Sequence, residues 1–284
     1  MLEIRNLTYS VGKKSIIEDF SYQFQSGVYG LLGANGAGKT TLMRCITGVY
    51  SLKSDAILYE GVAIAQNKKF SKMMSYLPQK FGLFKDLTVK EMMLMMSSLK
   101  GVHLKNKATI VEDCVAMVNL SDKLNDKVRT LSGGMIRRLG IAQTLLNDPK
   151  VILFDEPTAG LDIEERLRFK NIVSEISKDR MIIISTHIVS DVEALCDEVV
   201  VMKDKGILFT GSCEAIAEQA RNKTYVLLKH ELSSLEDGYY IQSYFEKESR
   251  SFVRIITNIP QDRLGITRVD PMIEDGYICL LKGI

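Results

Sequence analysis

Hydrophobic positions alternate with polar ones at the start of the chain. Leu2, Ile4 and Leu7, then Ile16, Ile17, Phe20, Tyr22 and Phe24, fall in short runs broken at Gly12-Lys13-Lys14, which predicts two antiparallel strands. Val28 to Leu32 is a short apolar strand running into a glycine-rich turn, and Thr41 to Ile46 reads as a helix that stops at Gly48. Ala56 to Tyr59 and Met74 to Leu77 are strand-like. Thr88 and Glu91 stand at capping-box spacing, and Val89, Met92, Met93 and Met96 follow at i, i+3, i+4 and i+7, so a helix is predicted over 88–99. More helix is expected to about Leu120, and another from Ser132 to about Leu146. Val151 to Phe154 and Met181 to Ser185 are continuously apolar, the mark of strands buried on both faces. Between them Asp162 and Glu165 open a helix to about Ile176. Val199 to Met202 and Ile207 to Thr210 form a hairpin across Lys203-Asp204-Lys205-Gly206.

Composition shifts near Arg221-Asn222-Lys223. Beyond it Tyr225 to Leu228, Tyr239 to Phe245, Phe252 to Thr257 and Tyr277 to Leu281 are short strand candidates. The pattern therefore predicts an α/β domain over 1–216 and a small, β-rich α+β domain over 217–284. The 284 residues suffice to bury a full core without metal or disulfide staples. Lys+Arg 37 against Asp+Glu 35 leaves a net charge of +2, which argues against a nucleic-acid partner. The five cysteines are scattered and match no zinc or disulfide framework, as expected for a reducing compartment. Glu3 and Arg5 interrupt the N-terminal stretch, so no signal peptide is expected. The longest apolar runs, such as Met92 to Met96, fall short of the roughly 18 residues of a membrane span.

Chemistry is concentrated in the first domain. Gly33-Ala34-Asn35-Gly36-Ala37-Gly38-Lys39-Thr40 matches G-x-x-x-x-G-K-[ST] between an apolar strand and a helix, the context that gives the pattern meaning. Such a loop turns several backbone N–H groups toward one anion, and the helix N-terminus adds its positive end. Lys39 is placed for β- and γ-phosphates and Thr40 for Mg²⁺. The strand ending in Asp155-Glu156 supplies two carboxylates, one for Mg²⁺ and one to polarise a water. His187 follows the strand 182–186, at the carboxyl end where α/β ligands sit. His103 and His230 have no such context and read as ordinary structural residues. Leu131-Ser132-Gly133-Gly134-Met135 precedes a helix, with Ser132 as N-cap and the glycines as a second anion site.

Together these motifs resemble the nucleotide-binding subunit of an ATP-binding cassette (ABC) transporter, over about residues 1–215 and in that family's order. Gly33–Thr40, with Thr41 behind it, resembles Walker A. Gln79 in Tyr76-Leu77-Pro78-Gln79 resembles the Q-loop, Leu131–Met135 the signature (with Met135 in place of glutamine), and Val151–Glu156 Walker B. Ala159-Gly160-Leu161-Asp162 resembles the D-loop and His187 the switch histidine. The resemblance implies a P-loop ATPase core with an antiparallel β subdomain and a helical subdomain over about 80–131. It implies ATP and Mg²⁺, with Thr40, Gln79 and Asp155 about the metal, Glu156 as general base, and His187 and Gln79 completing the catalytic set. It implies a head-to-tail dimer, most simply a homodimer, in which Ser132, Gly133 and Gly134 complete the partner's site, and it adds Asp162 of the D-loop to the nucleotide-binding residues. It also implies a separate membrane permease, which would hold the chain at the cytoplasmic face of the plasma membrane.

The family's adenine-stacking aromatic falls on Val11 here; Tyr9, two residues earlier on the same strand face, is the substitute candidate. The Met-rich stretch Met92–Met96 reads mainly as helix core, with Leu94 and Met95 off the stripe as candidates for a permease surface. Val269–Tyr277 resembles the ending of ATPase subunits of ABC-2-type exporters, including drug and antimicrobial-peptide export or immunity systems. Its residues also suit an acidic proline turn before a last strand. The competing readings are a soluble ABC ATPase serving nucleic-acid or cofactor-assembly machinery, and a regulatory module that binds ATP with little hydrolysis.

Overall fold

A computed structural model describes residues 1–52, 54–102, 106–235, 237–261 and 265–284; His103 lies outside them. The chain parts into two compact units, Met1–Ile207 and Leu208–Ile284.

The first unit holds β1 (Leu2–Val11), β2 (Lys14–Phe24), β3 (Gly27–Leu32), α1 (Lys39–Ile46), β4 (Ile57–Tyr59), β5 (Val62–Ala63), α2 (Lys68–Met73) and β6 (Met74–Leu77). It continues with α3 (Val89–Leu99), α4 (Lys107–Met117), α5 (Gly133–Leu145), β7 (Val151–Asp155), α6 (Ile163–Ile176), β8 (Met181–Thr186), α7 (Val189–Leu195) and β9 (Glu198–Lys203), and β10 (Gly206–Gly211) straddles the division. Two sheets organise it. One is antiparallel, in the order β2-β1-β4-β5, and the other runs β10-β9-β3-β8-β7-β6. In the second, β9, β3, β8, β7 and β6 are mutually parallel, and β7 and β8 are buried along their whole length, as their apolar runs predict. Its register sets Leu32 beside Thr186 and Asp155 beside Ser185, so the carboxyl ends of β3, β8 and β7 meet in one place.

The predicted helix over 88–99 forms as α3. Thr88 accepts from the Glu91 N–H while the Glu91 carboxylate accepts from the Thr88 N–H, a complete capping box. Val89, Met92 and Met93 face the core with Val111, Val115 and Leu139 of α4 and α5, which makes the stripe mainly a packing surface. Leu94 and Met95 are half-buried against the same cluster. The helical stretch expected to run on to Leu120 ends at Met117. Ser132 caps α5 through the Met135 N–H, and Asp162 caps α6 through the Glu165 N–H.

The second unit holds α8 (Cys213–Glu218), β11 (Thr224–Leu228), β12 (Tyr239–Lys247), β13 (Arg250–Thr257), β14 (Thr267–Arg268) and α9 (Ile273–Lys282). Its sheet is antiparallel in the order β12-β13-β11-β14. Within this unit α8 packs on α9: a methyl at Gly276 would lie 1.7 Å from the Ile216 carbonyl. The strand expected at Tyr277 to Leu281 is a helix instead. A short apolar run has no period of its own to choose by. Ile273, Gly276 and Cys279 bury one face at helical spacing, and Asp275 starts the helix by accepting from the Met272 N–H at 2.7 Å. Asp275 also takes two bonds from Arg254 Nε, at 3.0 and 3.1 Å, a buried pair that anchors α9 to β13. The acidic motif after Pro271 therefore serves as a helix start. Cys45, Cys114 and Cys279 are buried free thiols, and no helix of the described residues is long and apolar enough to cross a membrane.

Candidate active site

The site lies at the meeting of strand ends. β3 runs into the loop 33–38, and α1 begins at Lys39. Two glycines are obligatory for different reasons. A methyl at Gly33 would stand 2.5 Å from the Met202 carbonyl on β9. Gly38, the N-cap of α1, has φ 103, where an L side chain is strained, and its Cβ would lie 3.0 Å from the Ile16 carbonyl. Ala34, Asn35 and Gly36 form the exposed crest, Ala37 is partly covered, and Thr41 is half-buried on the first turn of α1. Lys39 is 5% exposed and curls back over the loop, donating to the Gly33 carbonyl at 2.6 Å and the Ala34 carbonyl at 3.2 Å. Its ammonium is also 3.4 Å from Glu156 Oε1.

The carboxylates are held from several directions. Asp155 Oδ1 accepts from Thr40 Oγ1 at 3.0 Å and from Ser185 Oγ at 2.6 Å, while its Oδ2 accepts from the Tyr76 hydroxyl at 3.1 Å. Burial, and then the adjacent Asp155 carboxylate, raise the Tyr76 phenol well above its ordinary range, so it stays a donor. Glu156 has φ 47, the left-handed region, which is uncommon outside glycine and directs its side chain back over the loop. Its N–H bonds to Ser185 Oγ at 3.0 Å and to the Ser185 carbonyl at 3.1 Å. Glu156 Oε2 meets His187 Nδ1 at 2.9 Å, so Lys39, Glu156 and His187 form one continuous cluster above Thr40 and Asp155.

The remaining sequence candidates lie around this cluster. Gln79 is exposed, and its carbonyl accepts from Arg137 Nη1 at 3.0 Å; the same guanidinium reaches the Asp155, Glu156 and Pro157 carbonyls. Ser132 and Gly133 are exposed at the start of α5, and Gly134 packs against Glu165, which pairs with Arg138 at 3.1 Å. Among the described residues no hydrogen bond or ion pair joins 132–134 or Asp162 to the phosphate loop of the same chain. Tyr9 stacks on Tyr50, with centroids 5.2 Å apart and an interplanar angle of 6°, and Val11 is exposed at the β1 tip.

Sequence reasoning missed four contributors. Ser185 bonds both carboxylate residues, and its signal was a polar residue closing an apolar strand. Tyr76 stood unremarked beside Gln79. Arg137 gave no signal beyond its place after the signature. Asp191 is buried and accepts from Thr158 and Thr186, tying the segment before the D-loop to the one before His187.

A parallel sheet with a strand–glycine loop–helix unit, a buried lysine over the loop and paired carboxylates on a neighbouring strand end define a P-loop nucleoside triphosphatase. Comparison with known proteins narrows the class. A sequence model of the ABC transporter family matches residues 17–159. The chain is 33% identical over 258 residues to the uncharacterized ABC transporter ATP-binding protein YhcH of Bacillus subtilis, covering 85% of this chain and 83% of that one. It is 33% identical over 220 residues to the Nod factor export ATP-binding protein I of Burkholderia lata, covering 76% and 72%. Among solved structures, cbiO1 from Clostridium perfringens, part of the ABC transporter complex cbiONQ, superposes with TM-score 0.70 at 26% identity, covering 76% of this chain and 90% of that one. The chain belongs to the ABC transporter family. It is an ABC ATPase of the kind that serves transporters, and its substrate is ATP with Mg²⁺.

Proposed function

We propose that the chain powers a separate membrane permease that exports its cargo, working as a head-to-tail homodimer at the cytoplasmic face of the plasma membrane. The observation that carries the reading is the single cluster of Lys39, Glu156 and His187 above Thr40 and Asp155. Residues 1–216 form the ATPase domain and 217–284 an accessory domain. The loop N–H groups of 33–41 and the N-terminus of α1 bind the phosphates. Lys39 exchanges the Gly33 and Ala34 carbonyls for β- and γ-phosphate oxygens, which leaves Glu156 Oε1 free to face water. Thr40 and Asp155 offer hard oxygen donors in contact, which suits Mg²⁺, and Gln79 supplies a third from the strand β6 side. A Mg²⁺ held by these oxygens would supply charge neutralisation for the phosphates.

Glu156 takes the proton of the attacking water, and His187 fixes that carboxylate through Nδ1 while facing the γ-phosphate. Ser132, Gly133, Gly134 and Asp162 contact ATP held by the partner's Walker A, in keeping with their having no bond to the loop of their own chain. Tyr9, its ring steadied by Tyr50, and Val11 form the adenine wall. Export rests on the likeness to the Nod factor export protein and on the motif after Pro271. The permease surface centres on Phe84, 61% exposed beside the Q-loop, rather than on half-buried Leu94 and Met95.

The test is purification of the chain from gently detergent-solubilised native membranes with mass spectrometry of what accompanies it. A multi-span protein in near-equal amount is expected. Recovery only from the soluble fraction, with and without ATP, would favour the soluble ATPase reading.

A further inference from the structure

Arg137 sits on α5 one turn after Gly133, on the helix that carries the signature. Its guanidinium makes four bonds, all to backbone carbonyls: Nε to Pro157 at 2.9 Å, Nη2 to Glu156 at 2.7 Å and Asp155 at 3.2 Å, and Nη1 to Gln79 at 3.0 Å. The Phe81 ring covers it, with Cζ 5.6 Å from the centroid. No carboxylate of the described residues pairs with it within ion-pair distance, unlike neighbouring Arg138, which pairs with Glu165. Burial pulls its guanidinium below the ordinary value. A half-buried cation without an ion-pair partner is costly unless its donors are satisfied, and here they are satisfied by one turn and one loop.

That turn is the strained one. Glu156 stands at φ 47, its N–H fixed by Ser185 and its carbonyl by Arg137. Rotating the peptide after Glu156 breaks the Arg137 bond, and with it the setting that brings the carboxylate to Lys39 and His187. The same side chain grips the Q-loop at Gln79. We propose that Arg137 is a positioning residue of hydrolysis: it locks the left-handed turn that aims Glu156 and ties that turn to the Q-loop and the signature helix, so that the rate of hydrolysis, and not ATP binding, depends on it. The proposal rests on Glu156 as general base.

The experiment measures kcat, KM and equilibrium ATP affinity of the full chain with Arg137→Ala, Arg137→Lys and Glu156→Gln beside the parent. A misplacement on the order of 1 Å at a reacting group costs about 100-fold. Arg137→Ala is therefore expected to lose about 10- to 100-fold in kcat, with KM, ATP affinity and melting temperature close to the parent's. Arg137→Lys should fall between the two, since one ammonium cannot meet four carbonyls in the plane a guanidinium does. Low millimolar guanidinium ion should raise the rate of Arg137→Ala and leave Glu156→Gln unchanged. A kcat within twofold of the parent for Arg137→Ala overturns the proposal. So does a matching loss of ATP affinity without guanidinium rescue, or failure of both Arg137 variants to fold, because Arg137 would then be only a structural prop. If Glu156→Gln keeps the parent's rate, the assignment of the base fails instead, whatever Arg137 does.

Discussion

The loop after β3 and the turn after β7 do adjacent work and are built in opposite ways. The phosphate loop is a backbone device. Its shape follows from glycines that no side chain can replace, and its reactive residues are consecutive. The carboxylate turn is a side-chain device. Asp155 and Glu156 are placed by Ser185 of β8, Tyr76 of β6, Thr40 of α1 and Arg137 of α5. A site made of backbone fails when one atom is added, and a site made of converging side chains fails by degrees.

Substitutions at the two places can break or sharpen that contrast. The largest effect is expected from Glu156→Gln, which removes the proposed base and keeps the shape. Hydrolysis should fall about 100- to 10,000-fold while ATP affinity stays near the parent's, measured by phosphate release and equilibrium binding. Gly33→Ala should act on the other quantity. With its methyl 2.5 Å from the Met202 carbonyl the loop must shift, and ATP affinity should drop at least about 100-fold, or about 2.8 kcal/mol. An alanine variant that bound ATP normally would refute the backbone account of the loop. Ser185→Ala removes one fully buried bond from each carboxylate residue, and a stability loss of about 1–3 kcal/mol is expected in denaturant titration. Its ATP affinity should hold better than that of Gly33→Ala. Tyr76→Phe is expected to be mildest, about 1 kcal/mol or less in stability, with a higher Mg²⁺ concentration needed for half-maximal rate. An unaltered Mg²⁺ requirement would remove Tyr76 from the support of Asp155.

The same contrast explains what could be read from the sequence. Gly33 to Thr40 are adjacent in the chain, so loop, lysine and hydroxyl appear as one string. Asp155 and Glu156 were legible because an apolar strand ends on them. Their supports were not: Thr40 is 115 residues from Asp155, and Ser185 is 30 away. Only folding shows that β7 and β8 run in register at Asp155 and Ser185. Continuous apolar runs found β7 and β8 of the parallel sheet, and periodicity found the stripe of α3, where burial of one face imposes a repeat over many residues. It failed at 277–281, where five apolar residues fit strand or helix equally and the choice falls to α8 and Asp275.

The left-handed backbone at Glu156 also bears on how this chain can change over generations. Holding an L residue there costs roughly 1–2 kcal/mol of backbone strain, and glycine or asparagine would relieve most of it. Selection for a sturdier fold alone would thus drift toward a small residue at 156, and the lineage would lose its acid as it gained stability. On the proposed role of Glu156 as base, a glutamate kept at that dihedral is held for turnover, and a chain that lost it should still fold and still hold nucleotide.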